Sequence, residues 1–228
     1  MIDPKNVPLS EVIKSGTLEY MKGVYTSIPG HIVTFNPSLQ RAQVQIGIQR
    51  VLNNGATETP WPIDDVPVIF HGGDYTLEFE VGQGTEGAMF FSQRCIDGWK
   101  NSGGVAANPL SRFFHPQDCY FVPGLRSQPS AISNFANNGI RIRNKSGNQF
   151  AWLKNDGSLA LENGAGHIRI SSAGVVSING VTIQPNGNTT MPQNLAVAGA
   201  LKNADVNVGK DHKHSGVQTG NFNTGNPV

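Results

Sequence analysis

The sequence predicts an all-β, homotrimeric protein, in which an N-terminal OB-fold-like barrel is followed by an intertwined triple-stranded β-helix. Three observations lead to this fold class. Short apolar segments alternate with polar residues before residue 130, glycine and asparagine dominate the turns after residue 138, and only 14% of the 228 residues are charged. The chain is therefore divided into a partly helical arm (1–29), the barrel (30–130), the β-helix shaft (131–204) and the tip (205–228).

The arm is predicted to contain one helix over residues 9–22, because Leu9, Val12, Ile13 and Met21 fall on one face, although Gly16 weakens it. Beyond residue 30 the apolar pattern changes to alternation. It predicts strands over residues 31–35, 42–48, 66–70, 75–79 and 88–91. Five or six short strands in about 100 residues are typical of a small closed barrel, for which the OB-fold is the commonest candidate.

The shaft is predicted from a change in composition. Residues 139–228 contain 13 Gly and 13 Asn, and very short apolar segments lie between the turns. These segments cover residues 140–142, 150–153, 159–161, 167–170, 175–178, 181–183, 195–198 and 206–208. Strands of three or four residues cannot bury an apolar side in an ordinary sandwich, but they can when stacked along an axis.

Three identical chains wound together would pair every open strand edge and place Ile, Val and Leu on a shared axis. About eight strands at ~4.8 Å per layer would give a shaft roughly 40 Å long. A glycine-rich two-sheet sandwich is the alternative for this region.

Near the C-terminus, His212 and His214 are separated by one residue, so in an extended segment both imidazoles point the same way. On a threefold axis, three copies would supply six imidazoles in two layers, which is an octahedral donor set. Neutral imidazole suits Fe, Ni, Cu or Zn, and six ligands disfavour Zn. The alternative is a pair of solvent-exposed histidines in a polar tail.

Several other functions are disfavoured by the sequence. A net charge of +1 gives no basic excess for nucleic acid. The G-x-G-x-x-G pattern over residues 82–87 precedes a predicted strand rather than a helix, so we interpret it as a turn. Catalytic motifs are lacking, and we expect no enzyme activity. Cys95 and Cys119 lie in apolar contexts, which favours buried free thiols over a disulfide. No apolar run is long enough for a membrane helix or a secretory signal, so the protein is expected to fold in a cytoplasm.

The segment from His212 to Pro227 reads H-x-H-x-G-V-x-x-G followed by a short glycine-containing run that ends in proline. This resembles the apex motif of central spike proteins of contractile-tailed bacteriophages. The first half of the chain is similar to the OB-fold domain of a spike family over residues 29–33, 41–45, 65–68, 94–99, 112–118 and 123–124.

The resemblance implies a homotrimer with an OB-fold collar, a triple-stranded β-helix and a pointed tip that holds one iron ion per trimer. His212 and His214 of the three chains would be its six ligands. It further implies a mechanical role at the tip of the tail baseplate: the spike, docked to a hub protein, is driven through the host outer membrane. The alternatives are a trimeric receptor-binding tail fibre or adhesin, and the spike of a tailocin or a type VI secretion-like machine.

Overall fold

The computed structural model describes residues 7–52 and 54–209, together with Gly216 and Gly220. The chain forms two compact units, Met1–Ala131 and Ile132–Val228. The first unit contains the two α-helices of the described residues, α1 (Leu9–Lys22) and α2 (Asp97–Ser102), and a short 3₁₀ helix, Gln128–Ser130. Its strands are β1 (Ser27–Asn36), β2 (Arg41–Ile46), β3 (Arg50–Val51), β4 (Thr57–Glu58), β5 (Ile63–Pro67), β6 (Glu86–Phe91) and β7 (Cys119–Pro123).

The first unit is built on a curled five-stranded sheet with the strand order β5-β2-β1-β6-β7. Neighbouring strands in this order are antiparallel. A parallel bridge between Val68 and Phe121 then links the chain just beyond β5 to the opposite edge strand, and the Ile69 N–H donates to the Phe121 carbonyl at 2.9 Å. The sheet therefore curls into a half-barrel around its apolar side.

The core of the first unit follows from alternation along the strands. In β2 the side chains of Ala42, Val44 and Ile46 are buried, and the residues between them are not. Ile32, Met89 and Phe121 fill the centre of the core and have no exposed surface. Where β6 crosses Phe121 the sheet needs glycine, because a Cβ at Gly87 would lie 2.4 Å from the Phe121 ring and from the Val122 carbonyl oxygen.

The second unit is a meander. Its strands are β8 (Gly139–Arg143), β9 (Phe150–Lys154), β10 (Leu159–Glu162), β11 (His167–Ile170), β12 (Val176–Ile178), β13 (Val181–Ile183), β14 (Thr189–Thr190), β15 (Lys202–Asn203) and β16 (Val206–Asn207). Strands β8 to β14 form one antiparallel sheet in sequence order, and β15 and β16 pair separately. The strands shorten along the chain, from five residues in β8 and β9 to two in β14.

In the turns of the meander, side-chain oxygens accept hydrogen bonds from backbone N–H groups that have no strand partner. The Asn144 side-chain oxygen accepts from the Gly147 N–H at 2.8 Å, and Gly147 has a φ of +80°. Asp156 and Asn163 form the same kind of bond two or three residues ahead in the next two turns. These local bonds let each strand end after a few residues without leaving turn amides unpaired.

Two predicted strands are wrong, and several elements are missing from the prediction. Residues 75–79 form a loop that contributes only a Gly72–Thr76 bridge, and residues 195–198 form no strand. The strand predicted over residues 66–70 overlaps only the end of β5. The elements that were not predicted are α2, the 3₁₀ helix and the strands β3, β4, β7, β14 and β15. The helix predicted over residues 9–22 is confirmed as α1, and the turn interpretation of residues 82–87 is confirmed, since the Thr85 N–H donates to the Gly82 carbonyl just before β6.

Candidate functional site

The predicted metal ligands, His212 and His214, lie outside the described residues. The iron site therefore remains a prediction from the sequence. Within the part of the chain that the structure describes, His31, His71, His115 and His167 belong to no cluster of three metal-ligating side chains. The candidate sites within the described residues lie on the surfaces of the two units.

The clearest such surface is one face of the second unit's sheet. Residues paired directly across an antiparallel ladder share a face, so the registers of β8 to β13 define two cross-strand rows on that face. We call these twelve residues the apolar face. Its rows are Ile140, Leu153, Leu159, Ile170, Val176 and Ile183, and Ile142, Ala151, Leu161, Ile168, Ile178 and Val181.

Most of the apolar face is open to solvent in the single chain. Ile140 is 70% exposed, Ile142 68%, and the most central large residue, Leu161, 54%. Seven of the twelve side chains are at least 40% exposed. Burying their exposed halves would contribute about 1 kcal/mol each, or ~7 kcal/mol per chain. A contiguous apolar surface of this kind marks an interaction site rather than a solvated face.

The opposite side of the same sheet, which we call the polar face, is organised differently. The Arg141 guanidinium lies 5.0 Å from the centre of the Trp152 ring, and the Lys154 ammonium lies 4.7 Å from it. Arg169 donates to Glu162 at 2.7 Å, and this hydrogen bond lowers the pKa of the Glu162 carboxyl. Charged and aromatic groups thus contact one another on this side, whereas the apolar face lacks a packing partner among the described residues.

The two arginines of β8 also fasten the segment that precedes the sheet. Arg141 donates to the Asn134 carbonyl and Arg143 to the Ser133 carbonyl, each at 2.8 Å. In the same region the Trp152 indole N–H is buried without a hydrogen-bond partner among the described residues.

The first unit contains a buried ionic network rather than a metal site. The Cys95 thiol and the Asp97 and Asp118 carboxylates lie close enough together to hold an ion. The cation there is the Arg112 guanidinium, which donates to both Asp118 oxygens at 2.8 Å and to Asp97 at 2.7 Å. Burial by itself would raise the pKa of the Asp118 carboxyl, but hydrogen bonds from Arg112 and the Ile96 N–H outweigh it, and the pKa is lowered.

The two cysteines are free and buried, as the sequence predicted. Burial raises the pKa of the Cys119 thiol to about 12, so it is held as the neutral thiol. Neither cysteine lies beside a histidine that could act as its base in the described hydrogen-bond pattern.

A groove of about 520 Å³ lies beside β5 in the first unit. Apolar residues and a few charged residues line it together, among them Tyr25, Ile46, Glu58, Trp61, Ile63 and Lys100. Trp61 is 88% exposed, whereas the Lys100 side chain is only 7% exposed and lies 3.3 Å from Asp65. The groove thus combines a buried lysine that is paired with Asp65 and an exposed aromatic side chain.

Glu86 at the start of β6 holds the last segment of the first unit. Its carboxylate accepts hydrogen bonds from the Ser127 N–H at 2.6 Å, the Ser127 hydroxyl at 2.8 Å and the Ser130 hydroxyl at 2.9 Å. The hydrogen bonds from Ser127 are the main reason that the pKa of Glu86 is lowered. The segment leading to the second unit is therefore fixed to the half-barrel up to Ser130.

No described helix combines the length and the apolar character needed to span a bilayer. Residues 28–124, which run from β1 to β7, match the family described as phage protein Gp138 N-terminal domain. No curated protein matches the chain. The first unit is thus similar to a bacteriophage protein domain, which supports a phage structural protein of the tail or baseplate that is carried in the virion.

Proposed function

We propose that this protein is the central spike of a contractile phage tail and that it pierces the host outer membrane without enzymatic activity. The similarity of residues 28–124 to a phage protein domain supports a virion role. The observation that carries the proposal is the apolar face, which a single chain leaves open to solvent over six strands.

Three copies of the chain could bury this apolar face between them. If three sheets turn their apolar faces towards one axis, all twelve residues of each copy enter a common core, and the polar faces point outwards. The result is a β-helix shaft with three walls. The strand order of the first unit and its Val68–Phe121 bridge agree with an OB-fold collar, which we propose docks to the tail hub.

Such a body suits a mechanical role. A force along the axis presses on a stack of hydrogen-bonded strands whose side chains interlock at the centre. Bending the stack would expose apolar area and break ladder bonds together, so the shaft should resist deformation. The protein then works by being stiff and narrow, and sheath contraction supplies the energy.

At the tip we propose that His212 and His214 of three chains hold one iron ion. The donor set suits this metal, because six neutral imidazoles in two layers form an octahedron. The ion would cross-link three chain ends where too few apolar residues remain to hold them together. Protein purified without chelators or a metal-affinity step should contain one iron per trimer by elemental analysis.

Three experiments test the proposal. Light scattering of the full chain should give about three times 24.4 kDa, and a folded monomer would contradict it. Phage particles that lack the protein should still adsorb to host cells but fail to deliver DNA. Loss of adsorption instead would favour the receptor-binding fibre. Deleting residues 1–130 should leave a trimeric shaft that no longer enters particles.

A further inference from the structure

Helix α1 lacks a packing partner within the part of the chain that the structure describes. All of its residues are described, and none of them is buried. Leu9, Ile13, Gly16 and Tyr20 are spaced four, three and four residues apart and so form one stripe, in which Leu9 and Tyr20 are each 73% exposed. A helix of 14 residues with a central glycine and no side-chain N-cap bond is marginal by itself in water. It needs a surface to pack on.

The groove beside β5 of the first unit offers a surface on which such a helix could pack. Its lining includes Trp61, which is 88% exposed, and the nearly buried Ile46 and Ile63, and the exposed charged residues Arg50 and Glu58 form part of its rim. An amphipathic helix that lays its apolar stripe in a groove is a common mode of recognition.

We infer that α1 of each copy packs into the groove of the adjacent copy, so that the collar is locked by a ring of exchanged helices. This inference rests on the proposed trimer. The contact joins two different surfaces of the same chain, and a heterologous contact of this kind closes on itself under threefold symmetry. One interaction would then cover both the free helix and the free tryptophan.

The C-terminal end of α1 explains why the groove of the adjacent copy is favoured over the groove of the same copy. Tyr25 lines the groove of its own copy, its N–H donates to the Phe114 carbonyl at 3.1 Å, and its hydroxyl accepts from Arg50. No residue of α1 lines that groove, so folding back into it would require a change of chain direction between Lys22 and Tyr25. Instead, the amides of Gly23 and Val24 donate to the Tyr20 and Met21 carbonyls, which prolongs the helical turn up to the anchored tyrosine.

The second copy is also the nearest available partner. In the proposed trimer the shafts hold three first units together, and residues 132–138 are the only stretch between the segment bound by Glu86 and the start of β8. A short tether of this kind gives an effective concentration in the millimolar range. A modest helix-in-groove contact would therefore be fully formed.

Cross-linking tests the exchange directly. Val12 lies beside the stripe of α1 and Glu58 lies on the groove rim, so a V12C/E58C double variant should form covalent dimers and trimers on oxidation. The matched control is K14C/E58C, because Lys14 lies on the opposite side of the helix, and it should give at least tenfold less product. The buried native cysteines should not contribute.

Each outcome is decisive. A cross-linked product that keeps the mass of one chain would show that α1 folds onto its own groove, and this would overturn the inference. A trimer by light scattering with no cross-link would also overturn it but leave the proposed spike intact. A monomer would contradict both. Independently, deleting residues 1–22 should increase acrylamide quenching of tryptophan fluorescence, and W61F should remove that increase.

Discussion

The shared core can be tested with one aspartate on each side of strand β12. Ile178 belongs to the apolar face and is 42% exposed in the single chain, and its direct partners are Ile168 and Val181. Its neighbour Ser177 points to the polar face, with its hydroxyl 3.4 Å from the His167 ring. I178D and S177D therefore introduce the same charge, in the same strand, on opposite sides.

If the apolar face is shared, the two substitutions differ strongly in the free energy that they cost the trimer. In a trimer, I178D would place three carboxylates in a common apolar interior. Each carboxylate loses its hydration at a cost of several kcal/mol, and ~1 kcal/mol of apolar burial is lost as well. A total of roughly 9 kcal/mol per trimer corresponds to more than a millionfold in the trimerisation constant. S177D would cost at most ~1 kcal/mol, because its charge stays solvated near Arg169.

Light scattering and denaturant unfolding of the two variants provide the assay. We expect I178D to be monomeric or unfolded at concentrations where S177D keeps three times the chain mass. If I178D assembles and unfolds like S177D, then residue 178 faces solvent, and the argument for a shared core is refuted.

Three further predictions concern single contacts. Because the pKa of Glu86 is lowered in the folded protein, its hydrogen bonds to Ser127 should contribute fully above the usual pKa of about 4.3 and be lost as pH falls through the lowered pKa. E86Q should mimic acid by speeding hydrogen exchange at the Ser127 amide, and unchanged protection would contradict this. R112M should cost about 3–5 kcal/mol in urea unfolding of the full chain, since it leaves the Asp118 carboxylate buried without its cation, and a loss under 1 kcal/mol would argue against it. Replacing His212 and His214 by alanine should remove the iron while the trimer mass stays unchanged, and retention of stoichiometric iron would place the ligands elsewhere.

The second unit shows how far short-range patterns reach. The predicted segments over residues 167–170 and 181–183 are confirmed as β11 and β13, because each lies between turns that glycine and asparagine dictate. Here the partner of every strand is its neighbour in sequence. Local turn chemistry therefore determines the registers as well, and with them the composition of the apolar face.

The first unit shows where this reasoning fails. Residues 75–79 alternate like a strand, but Phe79 packs on Phe70 with ring centres 5.0 Å apart and the segment finds no sheet edge. The missed strand β7 has buried Cys119 and Phe121, a signal that was present, yet its pairing with β6 spans an excursion of 27 residues. Long-range pairing of this kind is not encoded in a local pattern. The hydrogen bonds of Arg112 to Asp97 and Asp118, which lie within this excursion, could not be predicted from a local pattern either.

The lengths of the strands give a separate argument for a tapering trimer. A prism with three equal walls has a distance from axis to wall of about 0.3 times the wall width. Five-residue strands such as β8 and β9 are about 17 Å long, which gives ~5 Å, or half of the ~10 Å at which sheets pack face to face. Three-residue strands such as β12 and β13 are about 10 Å long and give only ~3 Å, so the apolar layer that they enclose is thinner. The walls thus enclose a normal core at the wide end and bury progressively less apolar area as the strands shorten. That loss is the physical reason to expect a bond other than apolar packing, such as six imidazoles on one metal ion, to join the chains beyond β16.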